Sequence, residues 1–147
     1  MIVVSNSSPL IALSSINRLD ILAHLFTAIH IPASVYQETV IENPIPEQQQ
    51  RITQATQTFI QVVSPTIQQQ FTRKLGAGEQ GALNLAIEVD ANFIILDDKK
   101  ARREAKELGL MPIFTADILK LAEQQQYIAS YHALVVQLAQ RQIYIPE

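Results

Sequence analysis

The 147-residue chain contains no cysteine. That excludes a disulfide framework, a thiolate metal site and a cysteine nucleophile, and it suits a reducing cytoplasm, where we expect the protein to work. No uninterrupted apolar run approaches the ~20 residues of a membrane span. The N-terminus, Met-Ile-Val-Val-Ser, has neither the basic n-region nor the long apolar h-region of a signal peptide. Positive charge is also in short supply. The formal net charge is −3, so any contact with nucleic acid has to be local rather than carried by a global field. What is present is a composition 48% hydrophobic and 17% charged, which is that of one globular domain with a proper core across residues 1–147.

Short apolar runs alternate with helical periodicity along the chain, which points to an α/β domain with a parallel sheet of about five strands. The runs are Met1–Ser5, Ala28–Ile31, Phe59–Val63, Asn92–Leu96 and Met111–Phe114. Ser8-Pro9 reads as an N-cap followed by proline at the first helical position. Asp98 caps a helix that stops at Gly109, Thr115 caps the next, and Ser130 opens the last. The terminal "IYI" reads as an edge strand. Two prolines make "ENPIPE", Glu42 to Glu47, a connector. Three glutamine triplets read as solvated helix surface or loop.

Two chemical readings compete. "GAGEQG", Gly76 to Gly81, fits the G-x-G-x-x-G letters of a dinucleotide fingerprint. The preceding "QQQFTRKL" is not a buried strand, however, and Glu79 would repel a pyrophosphate. Glycines easing a turn into a helix account for it better. The other reading starts from carboxylates: Glu38 on an early helix, Glu79 in the first turn of a helix, and Asp97 and Asp98 at the tip of the fourth strand. In parallel sheets ligands collect at the carboxyl ends of strands. Clustered acids persist most readily around a hard cation such as Mg²⁺, which takes oxygen ligands. Taken singly, each acid also suits a helix N-terminus. A phosphate-receiver domain would put its acid pair after an early strand, and here the pair follows the fourth.

Four ordered blocks, "VVSNSSPLIAL", "IPASVYQE", "LGAGEQGALNLA" and "FIILDDKKARREAKELGL", resemble the motifs of a PIN-domain branch. These run roughly V-S-D-T-S-P-L-I, I-P-x-x-V-x-x-E, L-G-x-G-E-x-x-A-L-x-L-A and L-L-D-D-x-x-A-R-x-x-A. The similarity covers residues 2–110; in 111–147, "IFTADILKLAEQQQYI" resembles the usual last segment more weakly and lacks its glycine. The resemblance implies a three-layer sandwich and a metal-dependent endoribonuclease, often the toxin of a toxin–antitoxin pair. It implies Mg²⁺ or Mn²⁺ as cofactor, an RNA substrate, a small antitoxin protein as partner, and a homodimer. Carried over by position, Asn6, Glu38, Glu79 and Asp98 form the metal set. Glu38, Glu79, Asp98 and Asp97 are the catalytic acids, with Asp98 favoured over Asp97 as the ligand, and Ser8 is a supporting hydroxyl. Arg102 and Lys99 are placed to meet phosphates. His24, His30 and His132 fall outside the blocks and read as packing or surface residues.

One departure stands out. Asn6 occupies the position where the family carries aspartate. An amide oxygen still coordinates a cation, but brings no charge. A PIN-like domain that binds nucleic acid or protein without cutting is therefore the second hypothesis. The basic "KKARR" also has a plain reading as helix surface, with Arg103 and Glu107 forming an i,i+4 pair.

Overall fold

Strand alternation explains the layering. In a computed structural model describing residues 1–147, Val3 of β1 (Val3–Ser5) faces one side of the sheet and Val4 the other. The same split recurs in β4 (Phe93–Ile95), where Ile95 joins the first side and Ile94, with Leu96 just beyond, the second. Strands buried on both faces read as continuous apolar runs, which is what these segments are. β2 (Ile29–Ile31), β3 (Ile60–Val62) and β5 (Pro112–Ile113) complete a five-stranded, all-parallel sheet in the order β3-β2-β1-β4-β5. Proline is tolerated in β5 because that strand lies at the edge.

Helices cover both faces. The larger cluster packs α1 (Ser7–Ser15), α2 (Asp20–Phe26), α4 (Pro46–Ala55), α7 (Thr115–Gln124) and α8 (Tyr131–Gln140) on one side. The smaller packs α5 (Ala77–Glu88) and α6 (Lys99–Glu107) on the other. α3 (Ala33–Tyr36) runs directly into a π-helical turn, Gln37–Ile41. The result is a single α/β domain with a five-strand parallel sheet flanked by eight α-helices. No helix is long and apolar enough to cross a membrane.

Several local expectations are corrected. Asn6, not Ser8, is the N-cap of α1, and Thr115 is the first residue of α7 rather than its cap. "IYI" forms no strand, although Ile143 and Ile145 do pack against the larger core. Gln48 is buried against Asn43, whose amide donates to it, so that triplet is not wholly solvated. Asp98 caps α6 as expected, accepting from Ala101 N at 3.0 Å, and Gly109 sits at φ +81° beyond its end. Ser130 likewise accepts from Ala133 N.

Glu107 does not pair with Arg103. Both α6 carboxylates reach across to Arg73 in the irregular stretch between β3 and α5, at 3.3 Å for Glu104 and 2.8 Å for Glu107. Glu104 also accepts from the Thr72 hydroxyl at 2.9 Å and the Arg73 N–H at 3.0 Å. One carboxylate thus straps down a segment with no backbone ladder of its own. Glu104→Ala strands these donors, and we expect a lower unfolding midpoint and faster proteolysis between residues 63 and 76. An unchanged midpoint with that stretch uncut would show the strap to be dispensable.

Candidate functional site

The strand order reverses between β1 and β4, since β1 runs on to β2 and β3 while β4 leads to β5. In open parallel sheets such a switch point opens a crevice at the carboxyl ends of the strands. Asn6 leaves β1 at this crevice, its N–H donating to Ile95 O at 3.1 Å, and Asp97 and Asp98 follow β4 on the other side. Asn6 is buried, and its Oδ1 has no hydrogen-bond partner. Asparagine at an N-cap normally spends that oxygen on the helix amides, but here it makes no capping bond. A buried acceptor left unmatched costs ~1–3 kcal/mol, and this oxygen is free to accept a donor or a cation.

From the β2 side comes Glu38, carried on the π-helical turn; such turns are rare and concentrate at functional sites. Its two oxygens are held separately. Oε1 accepts from the Ser7 hydroxyl at 2.5 Å and Oε2 from the Gly78 N–H at 3.1 Å. Gly78 permits this approach because a Cβ there would fall 2.8 Å from Glu38 Cδ. None of Gly76, Gly78 and Gly81 has a positive φ. Gly78 and Gly81 of "GAGEQG" therefore make room for neighbouring side chains, while Gly76 is the N-cap that leads into α5.

Glu79, the next residue, accepts from the Gly76 N–H at 3.0 Å. Burial raises its pKa above the ordinary 4.5, the Gly76 N–H pulls it down in part, and the adjoining Asp98 and then Glu38 push it up further. Glu79 and Asp98 are thus a mutually repelling pair, with Glu38 close enough to add to the strain. Asp97 faces elsewhere. Its oxygens accept from the Thr115 N–H at 2.8 Å and the Thr115 hydroxyl at 2.7 Å. Its pKa is also raised, by burial first, with Thr115 and Arg102 opposing and Asp117 adding. The structure therefore separates the adjacent pair: Asp98 adjoins Glu79, and Asp97 ties the end of β4 to the start of α7.

Comparison with known proteins gives the family of the chain. The sequence profile of a family described as the PIN domain matches residues 2–147. The chain belongs to the PIN-domain family. Members commonly carry nuclease activity and generally depend on divalent metals. Among solved structures, this PIN domain is similar to a PilT N-terminus domain protein from the hyperthermophilic archaeon Sulfolobus solfataricus P2. The identity is 22% with a TM-score of 0.58, covering 83% of this chain and 93% of that one; at that identity the likeness speaks for the fold. No curated protein matches the chain significantly.

The donors of this PIN domain fit a hard cation. No three Asp, Glu or His side chains converge on a metal-holding position by themselves. Mg²⁺, however, usually takes only one or two carboxylates and fills its remaining positions with water and substrate oxygens. The repelling Glu79–Asp98 pair and the unmatched Asn6 oxygen could each offer an oxygen ligand of that kind. Glu38 already carries one hydrogen bond on each oxygen.

The remaining expected residues scatter. Ser8 is exposed and lines a cleft with Asp97 and Asp98, while Ser7 is the hydroxyl that reaches an acid. Arg102 lies 3.5 Å over the Phe114 ring and donates to Leu96 O at 3.1 Å, and Lys99 is exposed on the first turn of α6. His24 stacks on Tyr127, His30 is half-buried in β2 and His132 is exposed. The residues that sequence reasoning missed are Ser7, Gly78 and Thr115. All three were visible within the motif blocks or the weaker last segment, but no periodicity reveals a partner 18 to 40 positions away.

Proposed function

We propose that this PIN domain is a metal-dependent endoribonuclease acting on single-stranded RNA, with Mg²⁺ or Mn²⁺ as its cofactor. The observation that carries the reading is the buried, unmatched Asn6 oxygen across the switch point from the Glu79–Asp98 pair. Asn6, Glu79 and Asp98 would hold the ion, which would supply Lewis-acid charge and lower the pKa of a bound water. Glu38, fixed by Ser7 and Gly78, completes the negative surroundings and holds the start of α5 in place. Arg102 spends one of its five N–H donors on Leu96 O and keeps the others for a phosphate, with Lys99 adding an exposed charge beside it. The toxin role, a small antitoxin partner and a homodimer belong to the same proposal, supported by the motif resemblance.

A second reading is favoured by Asn6 itself. An amide brings no charge, so the same site would hold a cation weakly and leave a domain that binds RNA or protein without cutting. Cleavage of a mixed single-stranded RNA by the parent, Asn6→Asp and Asn6→Ala, in Mg²⁺, Mn²⁺ and EDTA, separates the two. We expect metal-dependent cutting by the parent, a gain of about tenfold in Asn6→Asp, equivalent to ~1.4 kcal/mol, and a loss in Asn6→Ala. A parent that cuts well while Asn6→Asp cuts no better contradicts the role given to charge. If none of the three cuts, the non-cutting reading takes over.

A further inference from the structure

One wall of the cleft beside Asp97 and Asp98 is built by the C-terminal segment. Gln142 to Pro146 face Ser7, Ser8, Ile11 and Ala12 across a space of about 490 Å³, which is the size of a small-ligand site. The segment is neither helix nor strand, yet it is held in place. The Ile143 N–H donates to Leu138 O at 2.9 Å, Ile143 and Ile145 pack on the larger core, and the Tyr131 hydroxyl bonds the Glu147 carboxylate. With its two isoleucine neighbours turned inward, Tyr144 is turned out, 76% exposed at the cleft's edge. An aromatic ring set this openly on a fixed backbone has no packing role.

The chemistry of the cleft narrows what it takes. No lysine, arginine or histidine lines it, and its only charges are Asp97 and Asp98. A phosphate is repelled from such walls. A flat, uncharged group with apolar faces and polar edges is not, and a nucleobase is such a group. The tyrosine ring offers it a stacking face, Ile11 and Ala12 offer apolar contact, and Gln142 with the exposed Ser8 offers hydrogen bonds to its edge. The basic Lys99 and Arg102 belong to α6 and do not line the cleft, so phosphate and base have separate places.

We infer that this cleft is a base-binding subsite for single-stranded RNA, in which Tyr144 stacks on a base next to the phosphate to be cut. The inference rests on the nuclease reading of the Glu79–Asp98 site. It adds a positioning residue outside the motif blocks, one that acts through the base and not on the reacting atoms.

The test uses the full chain as parent, Tyr144→Ala, Tyr144→Phe and Asp98→Ala. Cleavage of a mixed RNA in Mn²⁺ is measured as KM and kcat, and binding of a fluorescent single-stranded RNA in EDTA is followed across a salt series. Tyr144→Ala is expected to raise KM about tenfold, as loss of one stacked base does, with little change in kcat. Its affinity is expected to fall equally at every salt concentration, because no phosphate contact is lost and the salt slope is unchanged. Tyr144→Phe keeps the ring and is expected to match the parent. Unchanged KM and affinity in Tyr144→Ala overturn the inference, and so does a Tyr144→Phe as weak as the alanine variant. If Asp98→Ala abolishes cutting while Tyr144→Ala is silent, the nuclease reading stands and the subsite alone falls. A parent that neither binds nor cuts RNA overturns both.

Discussion

Mn²⁺ is expected to raise the thermal unfolding midpoint of the parent protein and to leave that of Asp98→Ala almost unmoved. A cation that binds only the native state at a hundredfold excess over its dissociation constant stabilises it by ~2.7 kcal/mol. Removing one of two adjoining carboxylates takes away most of the attraction. The metal-free protein carries a pH signature of its own. Burial, opposed in part by the Gly76 N–H and reinforced by Asp98 and Glu38, holds Glu79 above its ordinary pKa of 4.5. The native state therefore takes up a proton more readily than the unfolded chain, so stability is gained as pH falls through the native pKa toward the unfolded one. It is correspondingly lower at neutral pH. Asp97, raised mainly by burial, contributes with the same sign. As pH falls from neutral toward the ordinary carboxylate range the midpoint in EDTA is expected to rise, and in saturating Mn²⁺ the rise should shrink, because the bound ion favours ionised carboxylates. Metal that shifts both proteins equally, or neither, would falsify the assignment of Asp98.

Gly78→Ala is expected to be damaging at a position where alanine normally helps. Within a helix, glycine to alanine gains about 1 kcal/mol. Here the new methyl group would lie 2.8 Å from Glu38 Cδ, and Glu38 cannot yield without breaking its bonds to Ser7 and the Gly78 N–H. Overpacking of this kind costs about 1–3 kcal/mol, and the displaced carboxylate takes site geometry with it. The variant is expected to unfold at lower temperature and to lose metal-dependent cutting. Adding Glu38→Ala is expected to restore the midpoint without restoring cleavage. A Gly78→Ala protein as stable and active as the parent would show that Glu38 is free to move. Gly81→Ala supplies a milder contrast, since the neighbour it meets is the small Ser34 hydroxyl and the Pro32 ring.

The sheet and its order of elements were legible because parallel strands buried on both sides announce themselves as apolar runs, as "NFIIL" and "MIVVS" do. The motif blocks also contained Glu38, Glu79 and Asp98, which the fold brings near one another, and Asp97, which it turns toward Thr115. Local pattern did not disclose which group each acid answers. Asp97 and Asp98 are neighbours in sequence, yet one is satisfied by Thr115 at the start of α7 and the other adjoins Glu79 on α5. Arg103 and Glu107 have ideal spacing for a helix pair, but Arg73 offers Glu107 two bonds from a loop that needs anchoring. Ser8 fits a cap by residue type, whereas backbone geometry gave the cap to Asn6 and the acid contact to Ser7. For Asp97, Glu107 and Ser7 a distant partner outcompeted a near one.

The π-helical turn at Gln37–Ile41 separates two demands that a regular helix would set against each other. Val35 and Val40, five positions apart, are both buried in the larger core, while a regular α-helix puts residues three and four apart on one face. The wider turn lets the core take the fifth position and leaves Glu38, between them, for the site. That segment therefore holds one residue of slack. Losing a residue there would leave an ordinary helix, well formed by every local criterion, with its acid and its valines out of phase. A one-residue deletion in this short stretch would thus act on the placement of one carboxylate rather than on the sheet.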